Sequence, residues 1–320
     1  MPDTKLKAKT KKPKPRLKTK NKQYTIKDSA LYNLTTKRKL ENILNKRISE
    51  LSPLMEDSNY RVFFQEKENG KKRKIEAPKL ELNFLQTRIS SLLLRVALPN
   101  YVHSGAKGRS HLTNASQHIG HHPVLTMDIK GFYPSVSSKS IYYFFLNTMK
   151  ASPDVAGILA RVCSYNEHLP TGSRLSMPLA YWANATMYEN LNCLCQKHKI
   201  TMSVYVDDFT FSGKAVNKLF QYKAKKVIEN AGFTVHPEKT MLYKSHEPKL
   251  ITGVVIDGDE IKVRNQHHKE IHLLFNKIDK VTSDKQLETL QKKLVGKLNA
   301  AGQIDPVFKQ RMQNYVKHNK

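Results

Sequence analysis

Two short apolar stretches of this sequence end in aspartates. Their carboxylates are the side chains here that could take part in catalysis. Residues 124–129 contain Asp128, and the run at 202–206 is followed by Asp207 and Asp208. Two aspartates after a strand commonly form a solvated turn. If the two strands are neighbours, however, the carboxylates converge and repel each other unless a cation joins them. Hard oxygen ligands favour Mg²⁺ or Mn²⁺, and two such ions can support in-line phosphoryl transfer.

The charge of the chain indicates a polyanionic partner. Its 320 residues include 55 Lys and Arg against 27 Asp and Glu, a formal net charge of +28 at pH 7. Residues 1–23 are basic and carry little that is apolar, so we expect a disordered tail there. Metal-dependent phosphoryl transfer on a polynucleotide is therefore the chemistry predicted.

The three cysteines lack zinc-ligand spacing and fit a cytoplasmic protein, and no apolar run is long enough to span a membrane.

The elements that must position these carboxylates alternate between strands and helices. Without regular βαβ spacing, this order predicts an α+β fold. Asn69-Gly70 predicts a tight turn in a hairpin that carries Lys71, Lys72, Arg73 and Lys74. A further short strand is expected within 250–256. Apolar periodicity predicts helices within 28–57, 82–96, 139–165, 178–198 and 215–230, and another around Leu287–Leu298. The stretch after residue 256 leaves room for helices at about 265–280 and 284–300.

Five ordered segments resemble those of reverse transcriptases. Residues 205–208, Tyr-Val-Asp-Asp, are similar to their catalytic tetrad, and residues 125–135 resemble the segment with the first catalytic aspartate. Asp128 precedes Asp207 by 79 residues, a spacing that fits the family. The other similar segments lie at 169–179, 232–240 and 250–255.

Two shorter motifs resemble the retron subfamily of bacterial reverse transcriptases. Residues 114–118, Asn-Ala-Ser-Gln-His, match its Asn-Ala-x-x-His signature, and residues 251–253, Ile-Thr-Gly, are similar to its Val-Thr-Gly signature. Thr171 stands where the family usually has Gln, and Val206 where many retron enzymes have Ala. These departures concern substrate positioning, because none of them removes a metal ligand.

The resemblance implies the roles of individual residues. Asp128, Asp207 and Asp208 would be catalytic and would bind two Mg²⁺ ions, or Mn²⁺ in their place, with the carbonyl of Ile129 as a further ligand. The residues implied in dNTP binding are Lys72, Arg73, Tyr133, Gly172 and Lys239. Those implied in RNA or primer contact are Asn114, His118, Tyr205, Thr252 and Gly253.

Several of these residues are also compatible with purely structural roles. Tyr133 would exclude a 2′-OH beneath the sugar of the nucleotide, or it would pack in the core. The basic residues would bind phosphates, or they would be solvated surface charges. Asn114 and His118 lie one helical turn apart and would recognise RNA, or they would form a cap or a buried pair.

The family also implies an organisation of the chain. It is a right-hand polymerase fold with fingers, an antiparallel palm sheet and a helical thumb. The boundaries expected are a tail at 1–23, N-terminal helices and fingers at 24–123, a palm at 124–258 with finger helices inserted at about 137–165, and a thumb at 259–320.

The function implied is an RNA-directed DNA polymerase that copies part of its own structured non-coding RNA. It would prime from a 2′-OH of a guanosine and give a branched RNA–DNA hybrid, msDNA. The implied partners are that RNA, the msDNA product, dNTPs, an effector protein in anti-phage defence and host RNase H, with no membrane. The alternatives are an intron, diversity-generating or abortive-infection reverse transcriptase, an RNA-directed RNA polymerase, and an RNA-binding scaffold that restrains an effector.

Overall fold

The computed structural model describes residues 14–66 and 70–318. Its strands are β1 (Tyr60–Glu66), β2 (Lys72–Pro78), β3 (Val124–Asp128), β4 (Thr201–Tyr205), β5 (Asp208–Ser212), β6 (Met241–Tyr243), β7 (Lys249–Ile251), β8 (Val254–Asp257) and β9 (Glu260–Lys262). Its helices are α1 (Lys37–Leu44), α2 (Ile48–Leu51), α3 (Leu80–Leu93), α4 (His111–Ser116), α5 (Phe132–Ser135), α6 (Ser138–Tyr143), α7 (Pro153–Cys163), α8 (Ser176–Ala183), α9 (Ala185–Lys197), α10 (Lys218–Asn230), α11 (Asn265–Ile278), α12 (Asp284–Ala301) and α13 (Pro306–His318).

The chain divides into two compact units. The first comprises the residues up to 98 together with 131–186, and the second comprises 99–130 together with 187–320. Helices and antiparallel sheets are mixed along the chain, so the predicted α+β class is confirmed. No helix of the described residues is both long and apolar enough to cross a membrane.

The first unit combines the β1–β2 hairpin with a helical core. The hairpin is antiparallel, from Tyr60 opposite Pro78 to Glu66 opposite Lys72. Beside it, α3 packs against α7 and α8 because its apolar side chains recur at helical spacing and are buried. Gly70 has a φ of +75°, as a tight turn requires, whereas Asn69 lies outside the described residues.

We expected a disordered tail at 1–23, but the last part of this stretch packs against the first unit. Residues 1–13 lie outside the described residues. Lys18 donates its backbone N–H to Ser91 Oγ at 3.0 Å, and Arg95 Nη2 donates to the carbonyl of Lys18 at 2.6 Å. Arg174 Nη1 donates to the carbonyl of Pro15 at 2.9 Å. This stretch therefore packs on the first unit, because its backbone groups find partners on α3 and the segment before α8.

The second unit is built on a four-stranded antiparallel sheet in the order β4-β5-β3-β6. Strands β7, β8 and β9 form a smaller sheet, and a core of Ala115, Val124, Ile251, Val254 and Ile256 joins it to α4 and β3. Helices α11, α12 and α13 have their own core, which includes Ile271, Leu294, Leu298 and Phe308.

Several boundaries differ from the prediction. Residues 99–123, expected with the fingers, belong to the second unit, and the segment inserted into that unit is 131–186 rather than about 137–165. The single strand expected within 250–256 is instead two strands, β7 and β8, because the pair Thr252-Gly253 forms a tight turn. Strand β5 and helix α13 were not predicted.

Candidate active site

The sheet of the second unit brings the predicted carboxylates together through a strand that the sequence did not reveal. Strands β3 and β4 are not neighbours, because β5 lies between them. Asp128 therefore lies directly opposite Asp208 in the β3–β5 register, and Asp207 occupies the turn before β5. The backbone N–H of Ile129 donates to the carbonyl of Asp207 at 3.2 Å. Together, these three aspartates form the carboxylate cluster.

The turn between β4 and β5 has an uncommon backbone. Tyr205 ends β4 and is paired with Asp208 at the start of β5, so residues 206 and 207 make a two-residue connection. Val206 has a φ of +63°, in the left-handed region. A β-branched residue rarely adopts this conformation, because its side chain crowds the backbone. The turn thus holds strain at the position next to two of the carboxylates.

Lys239 is placed against the cluster by its own short segment. Val235 pairs with Ile129, and the N–H of His236 donates to the carbonyl of Asp128 at 2.7 Å. A 3₁₀ turn, Pro237–Lys239, follows at once. It directs the Lys239 ammonium to Asp128 Oδ2, at 2.8 Å. Lys239 was expected at the phosphates of a nucleotide, and in the structure it forms an ion pair with the buried Asp128.

The electrostatics of the cluster are those of crowded negative charge. Burial, followed by the charges of Asp207 and Asp128, raises the pKa of Asp208 to about 7 in total, against the opposing effect of Lys239. Burial lowers the pKa of Lys239. Its hydrogen bond to Asp128 and the three carboxylate charges outweigh that effect, so the pKa is raised overall. One lysine does not neutralise three aspartates, and the site favours an added cation.

The donor set fits a hard divalent ion. Carboxylate oxygens are the ligands that Mg²⁺ and Mn²⁺ prefer, and the cluster sets three of these groups against the single ammonium of Lys239. Within 14–66 and 70–318, no three His, Cys, Asp or Glu side chains are already grouped around one point as a metal site. Asp128 Oδ2 instead bonds Lys239, so the cation would compete with this ammonium for the carboxylate.

Lys72 and Arg73 belong to the first unit and lie on the β1–β2 hairpin. Lys72 is opposite Glu66 and Arg73 is opposite Gln65. Because side chains alternate along a strand, the two basic groups point to opposite faces of the hairpin. Both are exposed. The geometry therefore separates two residues that the sequence treated as one group.

Gly172 is also in the first unit, and its lack of a side chain serves the hairpin. Its N–H donates to the carbonyl of Glu76 at 3.1 Å. A Cβ at this position would lie 2.8 Å from that same oxygen and 3.0 Å from the Cα of Ala77. Gly172 was expected to allow close approach of a nucleotide or template. In the structure, its missing side chain allows close approach of the backbone of β2.

Tyr133 lies in α5 and is half-buried beside the buried Phe132, with ring centroids 5.6 Å apart. The alternative of core packing describes Phe132 better than Tyr133, because Phe132 is only 4% exposed. A half-buried ring keeps an accessible edge, so the expected contact with a nucleotide sugar stays a prediction.

The direct RNA contact expected of Asn114 and His118 is wrong for this structure. Both residues are 0% exposed. The two ring nitrogens of His118 lie 2.7 Å from Ser212 Oγ and 2.7 Å from Ser203 Oγ, so the ring joins β5 to β4 under the sheet. Burial lowers the pKa of His118 to about 3, so the ring is neutral. Helical spacing showed that both residues share a face, but not that this face points inward.

Tyr205, Thr252 and Gly253 remain accessible. Tyr205 is half-buried at the end of β4, and Gly253 is exposed at the tip of the β7–β8 hairpin. Thr252 and Gly253 have φ values of +45° and +84°. Left-handed φ at both central residues is the geometry of a type I′ turn. The Thr252 hydroxyl donates to the carbonyl of His111 at 3.0 Å, which ties this strained turn to the start of α4.

Sequence reasoning missed a buried carboxylate that lies outside the carboxylate cluster. Glu76 in β2 is 1% exposed. Its carboxylate lies 3.0 Å from Lys74 Nζ and 3.1 Å from His168 Nε2, and it accepts from the N–H of Thr171 at 3.3 Å. Its partners at 168 and 171 are more than ninety residues away in sequence. No local pattern could have indicated them.

Comparison with known proteins identifies the family of this chain. The chain belongs to the family described as reverse transcriptase (RNA-dependent DNA polymerase), whose model matches residues 27–274. The solved structure of apo telomerase from Candida tropicalis has a similar fold, with a TM-score of 0.50 and 14% identity, over 75% of this chain and 52% of that one.

The more specific likeness is to retron enzymes, as the sequence predicted. Retron Ec86 reverse transcriptase of Escherichia coli is 24% identical over 227 residues, which cover 69% of this chain and 71% of that protein. Retron Se72 reverse transcriptase of Salmonella heidelberg is 32% identical over 218 residues, which cover 64% of this chain and 57% of that protein. The chain thus spans little more than half the length of the second relative.

Proposed function

We propose that this protein is a retron RNA-directed DNA polymerase and that the carboxylate cluster is its catalytic centre. The observation that carries the proposal is the direct opposition of Asp128 and Asp208, with Asp207 in the adjoining turn, in a chain of the reverse transcriptase family. Carboxylates held this close, with the pKa of Asp208 raised to about 7, are arranged for a cation rather than for the stability of the fold.

The proposed reaction joins a nucleotide to a hydroxyl group. The hydroxyl gives up its proton to solvent and its oxygen forms a bond to the α-phosphorus of a dNTP. The bond from that phosphorus to the bridging oxygen breaks, and pyrophosphate leaves. We assign Asp128 and Asp207, with the carbonyl of Ile129, to hold two Mg²⁺ ions, and Asp208 to support them. When bound, such ions neutralise charge on the attacking and leaving oxygens.

Lys239 has a defined place in this proposal. Its ammonium lies 2.8 Å from Asp128 Oδ2, where it compensates part of the charge of the cluster. If a bound cation drew this carboxylate away, the Lys239 ammonium would be free to bond the phosphate oxygens of the leaving pyrophosphate. A lysine is protonated at neutral pH, so the ammonium could donate a hydrogen bond or a proton there.

The remaining nucleotide contacts are proposed from chemistry and exposure. Lys72 and Arg73 are exposed cations on a projecting hairpin, a setting suited to triphosphate oxygens. Since they point to opposite faces, we assign one of them to the triphosphate and the other to a nucleic-acid phosphate. Tyr133 presents a half-buried ring that would select against a 2′-OH.

The retron assignment carries further partners. We propose that the template is the protein's own structured RNA, that synthesis starts from a 2′-OH of a guanosine, and that the product is branched msDNA. Host RNase H would remove template RNA, and an effector protein would act with the complex in anti-phage defence. The two relatives whose names identify them as retron reverse transcriptases support this, together with the sequence motif at 114–118.

A direct test expresses the chain with its upstream genomic flank and analyses the extracted nucleic acid. After RNase treatment, a short single-stranded DNA whose mobility shifts with debranching enzyme is expected. It should disappear with Asp207→Asn and persist with Asp259→Asn, a matched change at an exposed residue between β8 and β9. Primer extension on RNA without a branched product would contradict the retron assignment. Synthesis that survives Asp207→Asn would contradict the catalytic assignment.

A further inference from the structure

We infer that Ser104 is a positioning residue for the catalytic turn, residues 205–208, through one hydrogen bond to its most strained position. The backbone N–H of Val206 donates to Ser104 Oγ at 3.0 Å. Ser104 is 8% exposed, so solvent does not replace it freely. This inference rests on the proposed function, because it concerns the turn that carries Asp207 and Asp208.

Ser104 reaches the turn from a segment that extends the sheet. Residues 99–104, the supporting segment, lie beside β4, with Val102 bridged in parallel to Val204. Val204 donates its N–H to the carbonyl of Tyr101 at 2.8 Å, and His103 donates its N–H to the carbonyl of Val204 at 2.9 Å. Because Val102 is aligned with Val204, Ser104 is aligned with Val206, and its hydroxyl oxygen accepts the N–H of Val206.

The supporting segment is itself fixed by two side chains. Arg109 Nη1 donates to the carbonyls of Pro99 at 2.6 Å and Val102 at 2.7 Å. The His103 ring Nδ1 lies 2.9 Å from Thr113 Oγ1 at the start of α4. Because both ends of the segment are held, the hydroxyl of Ser104 is presented at a fixed position rather than on a free loop.

Val206 needs such a partner for two reasons. Its left-handed φ of +63° is costly for a β-branched residue, and without an external bond the turn would relax toward a more common conformation. Its N–H would also lose a hydrogen-bond partner in a partly buried place. Relaxation would shift Asp207 relative to Asp128, and a displacement of about 1 Å in catalytic groups can cost a hundredfold in rate.

The test compares three substitutions whose order separates hydrogen bonding from packing. Thr keeps a strong acceptor but adds a methyl group, Cys nearly keeps the size but is a weak acceptor, and Ala removes the acceptor. We expect Ser104→Thr to remain close to the wild type. Ser104→Ala and Ser104→Cys should lower kcat for dTTP incorporation on an oligo(dT)-primed poly(rA) template by about tenfold. The KM for dTTP should change little, because the alignment matters in the transition state.

Two controls make the outcomes distinct. Ser116→Ala removes another hydroxyl of the second unit, which donates to the carbonyl of Leu112, and it should keep full activity. Thermal unfolding of each variant checks that the chain is folded. Wild-type activity in Ser104→Ala would overturn the inference, and so would a series in which Cys is normal and Thr is the slowest. Activity retained in Asp207→Asn would instead overturn the proposed catalytic site.

Discussion

The two units of the chain each bury carboxylates, but they surround them differently. In the first unit, Glu76 is 1% exposed and both of its oxygens face hydrogen-bond donors, from Lys74, His168 and Thr171. In the second unit, Asp128 lies opposite another carboxylate, and its ion-pair partner is Lys239. The hydrogen bond to Glu76 raises the pKa of Lys74, as a satisfied pair requires.

The difference separates a structural carboxylate from one arranged for function. Glu76 joins β2 to the segment at 168–172, so its charge is used within the fold. The carboxylate cluster is left with more negative charge than its surroundings neutralise, and the pKa of Asp208 is raised to about 7. Buried groups in such conflict persist where function requires them. Burial alone would not have told the two regions apart.

Neutralising one member of the cluster should have the largest effect on activity. Asp128→Asn keeps the shape of the side chain but removes the charge shared with Lys239 and the proposed cation. We expect primer extension on an RNA template to slow by about a thousandfold or more, since a proposed ligand of both metals is lost. Initial rates with saturating dNTPs measure this, with Asp259→Asn as the control. A loss of less than tenfold would remove Asp128 from the catalytic set.

The same chemical change at Glu76 should act on stability instead. Glu76→Gln places an amide among groups that donate hydrogen bonds, so we expect the free energy of unfolding to fall by about 2–4 kcal/mol. Urea denaturation measures it. The matched control is Glu189→Gln on the exposed face of α9, which should stay within about 0.5 kcal/mol of the wild type. A neutral Glu76→Gln would break the comparison, because the carboxylate would then not be needed by the fold.

Asp208→Asn should raise the free energy of unfolding, whereas Glu76→Gln should lower it. The folded pKa of about 7 lies above the ordinary aspartate value of 3.8, so the folded state binds more protons between these values and stability falls as pH rises through that window. In metal-free buffer we expect Asn to stabilise the protein by about 1–2 kcal/mol at pH 8, and by less at pH 5. Urea denaturation at both pH values tests this. A variant less stable than the wild type at pH 8 would show that the cluster is satisfied without a cation.

The sequence predicted the parts of this picture that are local. Apolar runs revealed β3 and β4, and the motifs located all three aspartates of the cluster. Strand β5 was missed because two aspartates at the end of a run favour a turn, so Asp208 was not recognised as the direct partner of Asp128. Helix α13 did have a signal, since Phe308, Met312 and Tyr315 recur at helical spacing.

Contacts between distant residues could not be predicted in this way. Glu76 meets His168 and Thr171 across more than ninety residues, and Ser104 meets Val206 across 102. Such pairs depend on which elements become neighbours after folding. The burial of His118 is similar, because periodicity shows that residues share a face but not what that face contacts. The sequence motifs were therefore easier to recognise than the residues that hold them in place.

Gly172 offers a further way to sharpen the comparison around Glu76. An added Cβ would meet the Glu76 carbonyl oxygen at 2.8 Å and the Ala77 Cα at 3.0 Å, and these backbone atoms cannot rotate away. Gly172→Ala should therefore destabilise the protein by about 1–3 kcal/mol. Gly157→Ala in α7 meets nothing within 4 Å and should stabilise it by roughly 0.5–1 kcal/mol.

The opposite signs of these two glycine variants make the measurement decisive. Urea denaturation gives the stability of each, and the KM for a dNTP is measured on the same samples. If Gly172→Ala is as stable as the wild type but its KM rises, the missing side chain serves an approaching nucleotide, as the sequence suggested. If stability falls, the glycine serves the contact between β2 and the segment at 168–172. The first unit then uses both Glu76 and Gly172 to hold its hairpin.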